Sequence, residues 1–124
     1  MGRIMLATSA STDEEYGGTT DFGAVKIDTK AYNTNLYLNP VYKEFFIEAN
    51  IENDTSVIIP MTLTRTQLDV NGKTFRTGYY VNSSNYGTIA ITVVISGNDT
   101  YLKLTYFNIG GTTYNNSVMT VYGK

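Results

Sequence analysis

The stretch Tyr42-Lys-Glu-Phe-Phe-Ile-Glu-Ala-Asn-Ile-Glu52 decides how this chain is read. Phe45, Ile47, Ala49 and Ile51 alternate with Glu44, Phe46, Glu48 and Asn50. In an extended backbone successive side chains point to opposite faces, so this run has one apolar face and one mainly polar face. A helix would scatter the same residues around its axis. On this reading Glu44, Glu48 and Glu52 lie on the solvent side of a half-buried strand or near its end, as a solubilising pattern.

The same period recurs in both directions. Upstream, Val25 and Ile27 alternate with Lys26 and Asp28. The Asn-rich AYNTNLYLNP (31–40) is less regular and is expected to carry the chain across an edge, since Pro40 restrains Asn39 to extended geometry. Downstream, NDTS (53–56) reverses the chain into VIIPMTL (57–63). There Pro60 has no ladder hydrogen to donate and predicts an edge strand or a bulge. Asn71-Gly72 predicts a type I′ hairpin with arms RTQLDV (65–70) and KTFRTGYYV (73–81). After NSSNYG (82–87), Ile89, Ile91, Val93 and Ile95 share one face. Gly97, Asn98 and Asp99 turn the chain into TYLKLTYFNI (100–109), in which Leu102, Leu104 and Tyr106 oppose Tyr101, Lys103, Thr105 and Phe107. GGTTYNN (110–116) leads to a last strand, SVMTVYGK (117–124), with Val118, Thr120 and Tyr122 against Met119 and Val121. A terminal run this strand-like is expected to be tied into a sheet. Six to eight short strands without an amphipathic helix predict an all-β, single-domain, antiparallel β-sandwich of jelly-roll-like form over residues 22–124. Residues 1–21 are expected to hold a short strand (Arg3–Ala7) and a flexible polar loop.

Composition narrows the function. Only 16% of the 124 residues are charged, and the net charge is −2, so the surface is built from Thr, Asn, Ser, Gly and Tyr and has no footprint for a phosphate backbone. Nucleic acid is not an expected partner, and no apolar run is long enough to insert into a bilayer. With no Cys and no His, disulfides, zinc sites and imidazole-assisted nucleophiles are all absent. The acidic run Asp13-Glu14-Glu15 lacks the alternating ligand pattern of a calcium loop and reads as solvated. Glu44, Glu48, Glu52, Asp54 and Asp69 could furnish the carboxylate pair of a glycosidase, but a solubilising pattern explains them more simply. The expectation is a protein that is not an enzyme and takes no metal and no cofactor. The Asn-x-Ser/Thr triplets at 53, 82 and 98 carry no assigned role.

The 11 Tyr are the distinctive feature, because a phenol ring offers an apolar face and a hydroxyl to sugars or to protein partners. Tyr79, Tyr80, Asn82, Asn85, Tyr86 and Tyr114 fall in or beside Asn/Gly/Ser-rich loops and form the predicted ligand site. Loops at one end of a sandwich are where recognition is ordinarily placed. The alternative for these Tyr is that they cover the sandwich ends or pack between subunits.

The ending TVYGK, with YKEFFIEANIEND, VIIPMTL, TFRTGYYVNSS, TIAITVVIS and TYLKLTYFNIGG in that order, resembles the C-terminal tip domain of bacteriophage tail-fibre and minor structural proteins. The tryptophan that often begins such domains is missing. The resemblance implies a virion component, made in the host cytoplasm and built into the phage tail. It implies other phage tail proteins as neighbours and host cell-surface polysaccharide or protein as receptor. Threefold symmetry about a fibre axis implies a homotrimer, for which a strand face carrying Tyr101 and Phe107 is the expected contact. A carbohydrate-binding module of a bacterial secreted or surface protein is the alternative, and a glycan-cleaving enzyme a third reading.

Overall fold

The computed structural model describes residues 23–124. The expected strand at Arg3–Ala7 and nearly all of the polar loop after it lie outside the described residues. Within them the chain forms β1 (Val25–Ala31), β2 (Asn35–Tyr37), β3 (Glu44–Ile51), β4 (Asp54–Thr64), a 3₁₀ turn (Arg65–Gln67), β5 (Thr74–Asn82), β6 (Asn85–Ser96), β7 (Asp99–Ile109), β8 (Thr112–Thr113) and β9 (Ser117–Gly123). Sheet A has the order β1-β9-β3-β4 and sheet B the order β2-β7-β6-β5, with β8 paired to β7. All pairings are antiparallel. The pairing of β1 with β9 and of β2 with β7 gives one side of the sandwich a jelly-roll wrap, while β3–β4 and β5–β6–β7 are local hairpins.

The alternation in β3 sets the core. Phe45, Ile47 and Ala49 are fully buried beside Ile59, Met61 and Leu63 of β4 and Met119 and Val121 of β9. They pack against Ile89, Ile91 and Val93 of β6 and Leu102, Leu104 and Phe107 of β7 in a single cluster. Complete burial of such side chains contributes about 1.5–3 kcal/mol each. The last strand lies inside sheet A, paired on both sides by β1 and β3. Its Gly123 has a steric cause. A Cβ there would stand 2.6 Å from the Tyr42 ring and 2.9 Å from Ile27, which pack onto the strand from both flanks. Backbone hydrogen bonds between Lys124 and both Lys43 and Glu44 extend the pairing to the end of the chain.

Pro60 lies on β4, an edge of sheet A, where its missing N–H costs no ladder bond. Asn33, at φ 65°, turns the chain from sheet A to sheet B, and its N–H donates to Leu104. At the opposite end of the sandwich Arg65 lies 4.9 Å over the Phe45 ring and donates to the carbonyls of Asn39 and Tyr42. Burial lowers its pKa, with Tyr37 acting in the opposite sense.

Three expectations are corrected. Asn71-Gly72 is not a hairpin, because residues 65–73 carry the chain from β4 in sheet A to β5 in sheet B. The Asn71 carboxamide oxygen accepts from the Ile95 N–H instead, fastening the crossover to β6. In β7, the register passes from Ala90↔Tyr106 to Ile91↔Leu104, so Thr105 is an extra residue in a bulge. The bulge reverses the phase of all that follows: Phe107 enters the core and Tyr106 turns outward. Phe107 therefore contributes nothing to an intersubunit patch. Finally, Glu48 is buried, at 5% exposure, on the face of sheet A that turns away from the core. The Tyr122 hydroxyl donates to its carboxylate at 3.4 Å.

Candidate functional site

The β5–β6 hairpin turns at Ser83-Ser84, with Asn82 opposite Asn85. The Asn82 side-chain oxygen accepts from the N–H groups of Ser84 and Asn85, so this Asn builds the turn and its acceptor is occupied. Tyr80 and Tyr86 face each other beside it and are 64% and 56% exposed. The β7–β8 turn stands next to this hairpin, since Gly110 N–H donates to Tyr86 and Gly110 lies against the Asn85 side chain. Four of the predicted residues, Tyr80, Asn82, Asn85 and Tyr86, are thus brought together at one end of the sandwich. Tyr79 and Tyr114 belong to the same end but point inward. Both pack against the core, and the Tyr114 ring meets Phe107 edge-on at 6.3 Å.

The exposed pair is the start of a larger surface. On the outer face of sheet B, cross-strand neighbours form ranks that follow from the register. Tyr86 and Tyr80 make the first, and Asn108, Thr88 and Gly78 the second. Tyr106, Ala90 and Arg76 make the third, followed by Asn35, Lys103, Thr92 and Thr74. Tyr37, Tyr101 and Val94 make the last. Opposite or along β6 the tyrosines recur at positions 86, 90 and 94. At about 3.3 Å per residue the three levels are about 13 Å apart.

Each level has a local cause. The Tyr86 ring lies over Gly78, where a Cβ would come within 2.6 Å of two ring carbons. Ala90 is the small residue across which Arg76 reaches the Tyr106 ring, with its guanidinium carbon 5.6 Å from the centroid. Such cation–π contacts hold an arginine flat while leaving its edge donors outward. Tyr37 and Tyr101 meet edge-on at 5.8 Å. Between these levels Thr105 donates to the Ala90 carbonyl at 3.3 Å. Its hydroxyl lies 3.0 Å from that of Thr92, which lies 2.9 Å from that of Thr74, and the Thr74 hydroxyl also reaches the Gly72 carbonyl at 3.5 Å. The three hydroxyls form one connected row across β5, β6 and β7.

The ranks combine aromatic rings, hydroxyls and the cations Arg76 and Lys103. Tyr37, Tyr101, Tyr106, Arg76 and Lys103 were missed from sequence because Tyr101 and Tyr106 fall within strands and the bulge at Thr105 concealed which residues share their face. Among the described residues no group of three or more carboxylates is placed to hold a metal ion, and no helix is long and apolar enough to cross a membrane. Comparison of the chain with protein-family models, curated proteins and solved structures found no match.

Proposed function

We propose that this domain is a non-catalytic recognition module for host cell-surface glycans, carried at the tip of a phage tail fibre. The observation that carries the reading is the tyrosine-bearing outer face of sheet B, continuous with the exposed Tyr80–Tyr86 pair at the hairpin end. Exposed tyrosine rings suit the apolar faces of pyranoses, and the intervening threonines suit their hydroxyls. The sandwich and the fibre-tip resemblance of the sequence support the placement in a virion. A carbohydrate-binding module of a bacterial protein would use the same face, and strain selectivity separates the two.

Each contact of this kind contributes on the order of 1 kcal/mol, so a single site binds weakly and multiple copies are needed for attachment. A homotrimer on the fibre axis supplies that multiplicity. Light scattering at micromolar concentration tests the trimer, and a purely monomeric chain refutes self-association without a shaft.

Adsorption of labelled protein to whole bacteria, before and after stripping of surface polysaccharide, tests recognition. Tyr80→Ala and Tyr86→Ala should lower adsorption several-fold, with Tyr80→Ala leaving the melting temperature nearly unchanged. Tyr79→Ala and Tyr114→Ala should instead lower the melting temperature, because those rings cover the core. Undiminished adsorption by both exposed-Tyr variants, or adsorption that survives polysaccharide removal, refutes the glycan reading.

A further inference from the structure

On the outer face of sheet B the ranks from Tyr86 to Tyr101 contain Arg76 and Lys103 and no carboxylate. The nearest acid in the register is Asp99, one rank beyond Tyr101 at the β6–β7 turn. The salt bridge among the described residues, Lys30 with Asp28, lies on β1 in the other sheet. The Arg76 guanidinium lies over the Tyr106 ring and Lys103 stands among Asn35, Thr92 and Tyr101, so among the described residues neither cation is paired with a carboxylate.

From this we infer that the glycan received on this face is an acidic polysaccharide whose carboxylates are taken by Arg76 and Lys103 while its rings rest on Tyr86 and Tyr101. The inference rests on the glycan-binding reading above and names its substrate class. Arg76 and Lys103 lie in adjacent ranks on strands two apart, one on either side of the threonine row. At about 4.8 Å between strands and about 6.6 Å between alternate residues, their Cα atoms are about 12 Å apart. That separation suits charges on different sugar units of one chain, with the threonine hydroxyls between them facing its ring hydroxyls. An arginine held flat against a ring presents paired N–H groups that match a carboxylate. A neutral glycan could accept hydrogen bonds from these cations but would offer neither of them an opposite charge.

The experiment is affinity electrophoresis of the full chain through gels containing polygalacturonate, alginate, hyaluronate or polysialate. Each gel is paired with one holding the carboxyl-reduced form of the same polymer, and dextran serves as the neutral reference. The expected result is retardation by at least one acidic polymer, at least about fivefold weaker for its carboxyl-reduced form. Arg76→Gln and Lys103→Gln should each weaken retention about threefold to fivefold with little change in melting temperature, and Arg76→Lys should retain more than Arg76→Gln. Raising the salt concentration should weaken retention by the acidic form more than by the reduced form, because surface charges are screened within about 10 Å at 0.1 M. Equal retention by acidic and reduced forms overturns the acidic class while leaving glycan binding intact. Retention by none of these polymers also overturns it. If adsorption to untreated host cells is absent as well, the glycan reading fails with it.

Discussion

Gly78→Ala should change sign with the residue at position 86. In the wild type the added methyl collides with the Tyr86 ring, whose Cε2 and Cζ would stand 2.6 Å from the new Cβ. The ring must leave the sheet. Tyr86 is 56% exposed, so a little under half of its surface is covered. For a side chain that buries roughly 200 Å² when enclosed, that is about 90 Å². At about 25 cal/mol per Å² its release costs about 2 kcal/mol. The backbone of Gly78 is not in the left-handed region, so alanine there recovers about 0.5–1 kcal/mol by restricting the unfolded chain. The net loss is about 1 kcal/mol, or about 4 °C in melting temperature for a domain of this size. In the Tyr86→Ala background there is no ring to displace, and Gly78→Ala should stabilise by about 0.5 kcal/mol. Calorimetry on the wild type, the two single variants and the double variant measures the coupling. Equal destabilisation in both backgrounds would place the crowding in the backbone and refute the packing of Tyr86 on Gly78.

Phe107→Ala should cost about 3–5 kcal/mol and Tyr106→Ala about 1 kcal/mol or less in urea unfolding, because the bulge at Thr105 sends the first inward and the second outward; the reverse order would restore uninterrupted alternation. Asn71→Ala should destabilise by about 1 kcal/mol, since it removes the acceptor of the Ile95 N–H that fastens the crossover to β6, and a neutral result would refute that anchoring role. Asp54 is held below its ordinary value of 3.8 by the Ser56 hydroxyl and then by the Ser56 N–H, with slight desolvation opposing. A carboxyl with a depressed folded-state pKa contributes stability above the unfolded value that is lost as pH falls through the folded one. Melting temperature should therefore drop more steeply below pH 4 in the wild type than in Asp54→Asn, and parallel profiles would refute a contribution from this pair.

The all-β class was legible because period-two alternation is a property of neighbouring residues along the backbone. Phe45, Ile47 and Ala49, then Ile89, Ile91 and Val93, then Met119 and Val121 stand inside the core as their spacing predicts. Pro60 announced an edge for an equally local reason: it has no hydrogen to give. Of the six residues singled out as a ligand site, Tyr80, Asn82, Asn85 and Tyr86 adjoin one another because the β5–β6 turn joins residues close in sequence. The orientation of Tyr79 and Tyr114 toward the core was not, since it depends on the strands they meet.

What tertiary structure alone decided depends on partners distant in sequence. Asn71-Gly72 has the residues of a tight hairpin, but Leu63 must pair with Phe45 in one sheet and Phe75 with Ile91 in the other, so the segment between them spans the layers. Glu48 looks solvent-facing on its strand, yet it is buried, and the Tyr122 hydroxyl of β9, distant in sequence, donates to its carboxylate. The inserted Thr105 is invisible in TYLKLTYFNI because either phase offers apolar residues to the core. Only the ladder opposite, where Ala90 meets Tyr106 and Ile91 meets Leu104, selects Phe107 for burial and delivers Tyr106 to Arg76 on the outer face. Alternation along a strand is set by its own covalent geometry, whereas the phase after a bulge, and with it the composition of the face, is set by the neighbouring strand.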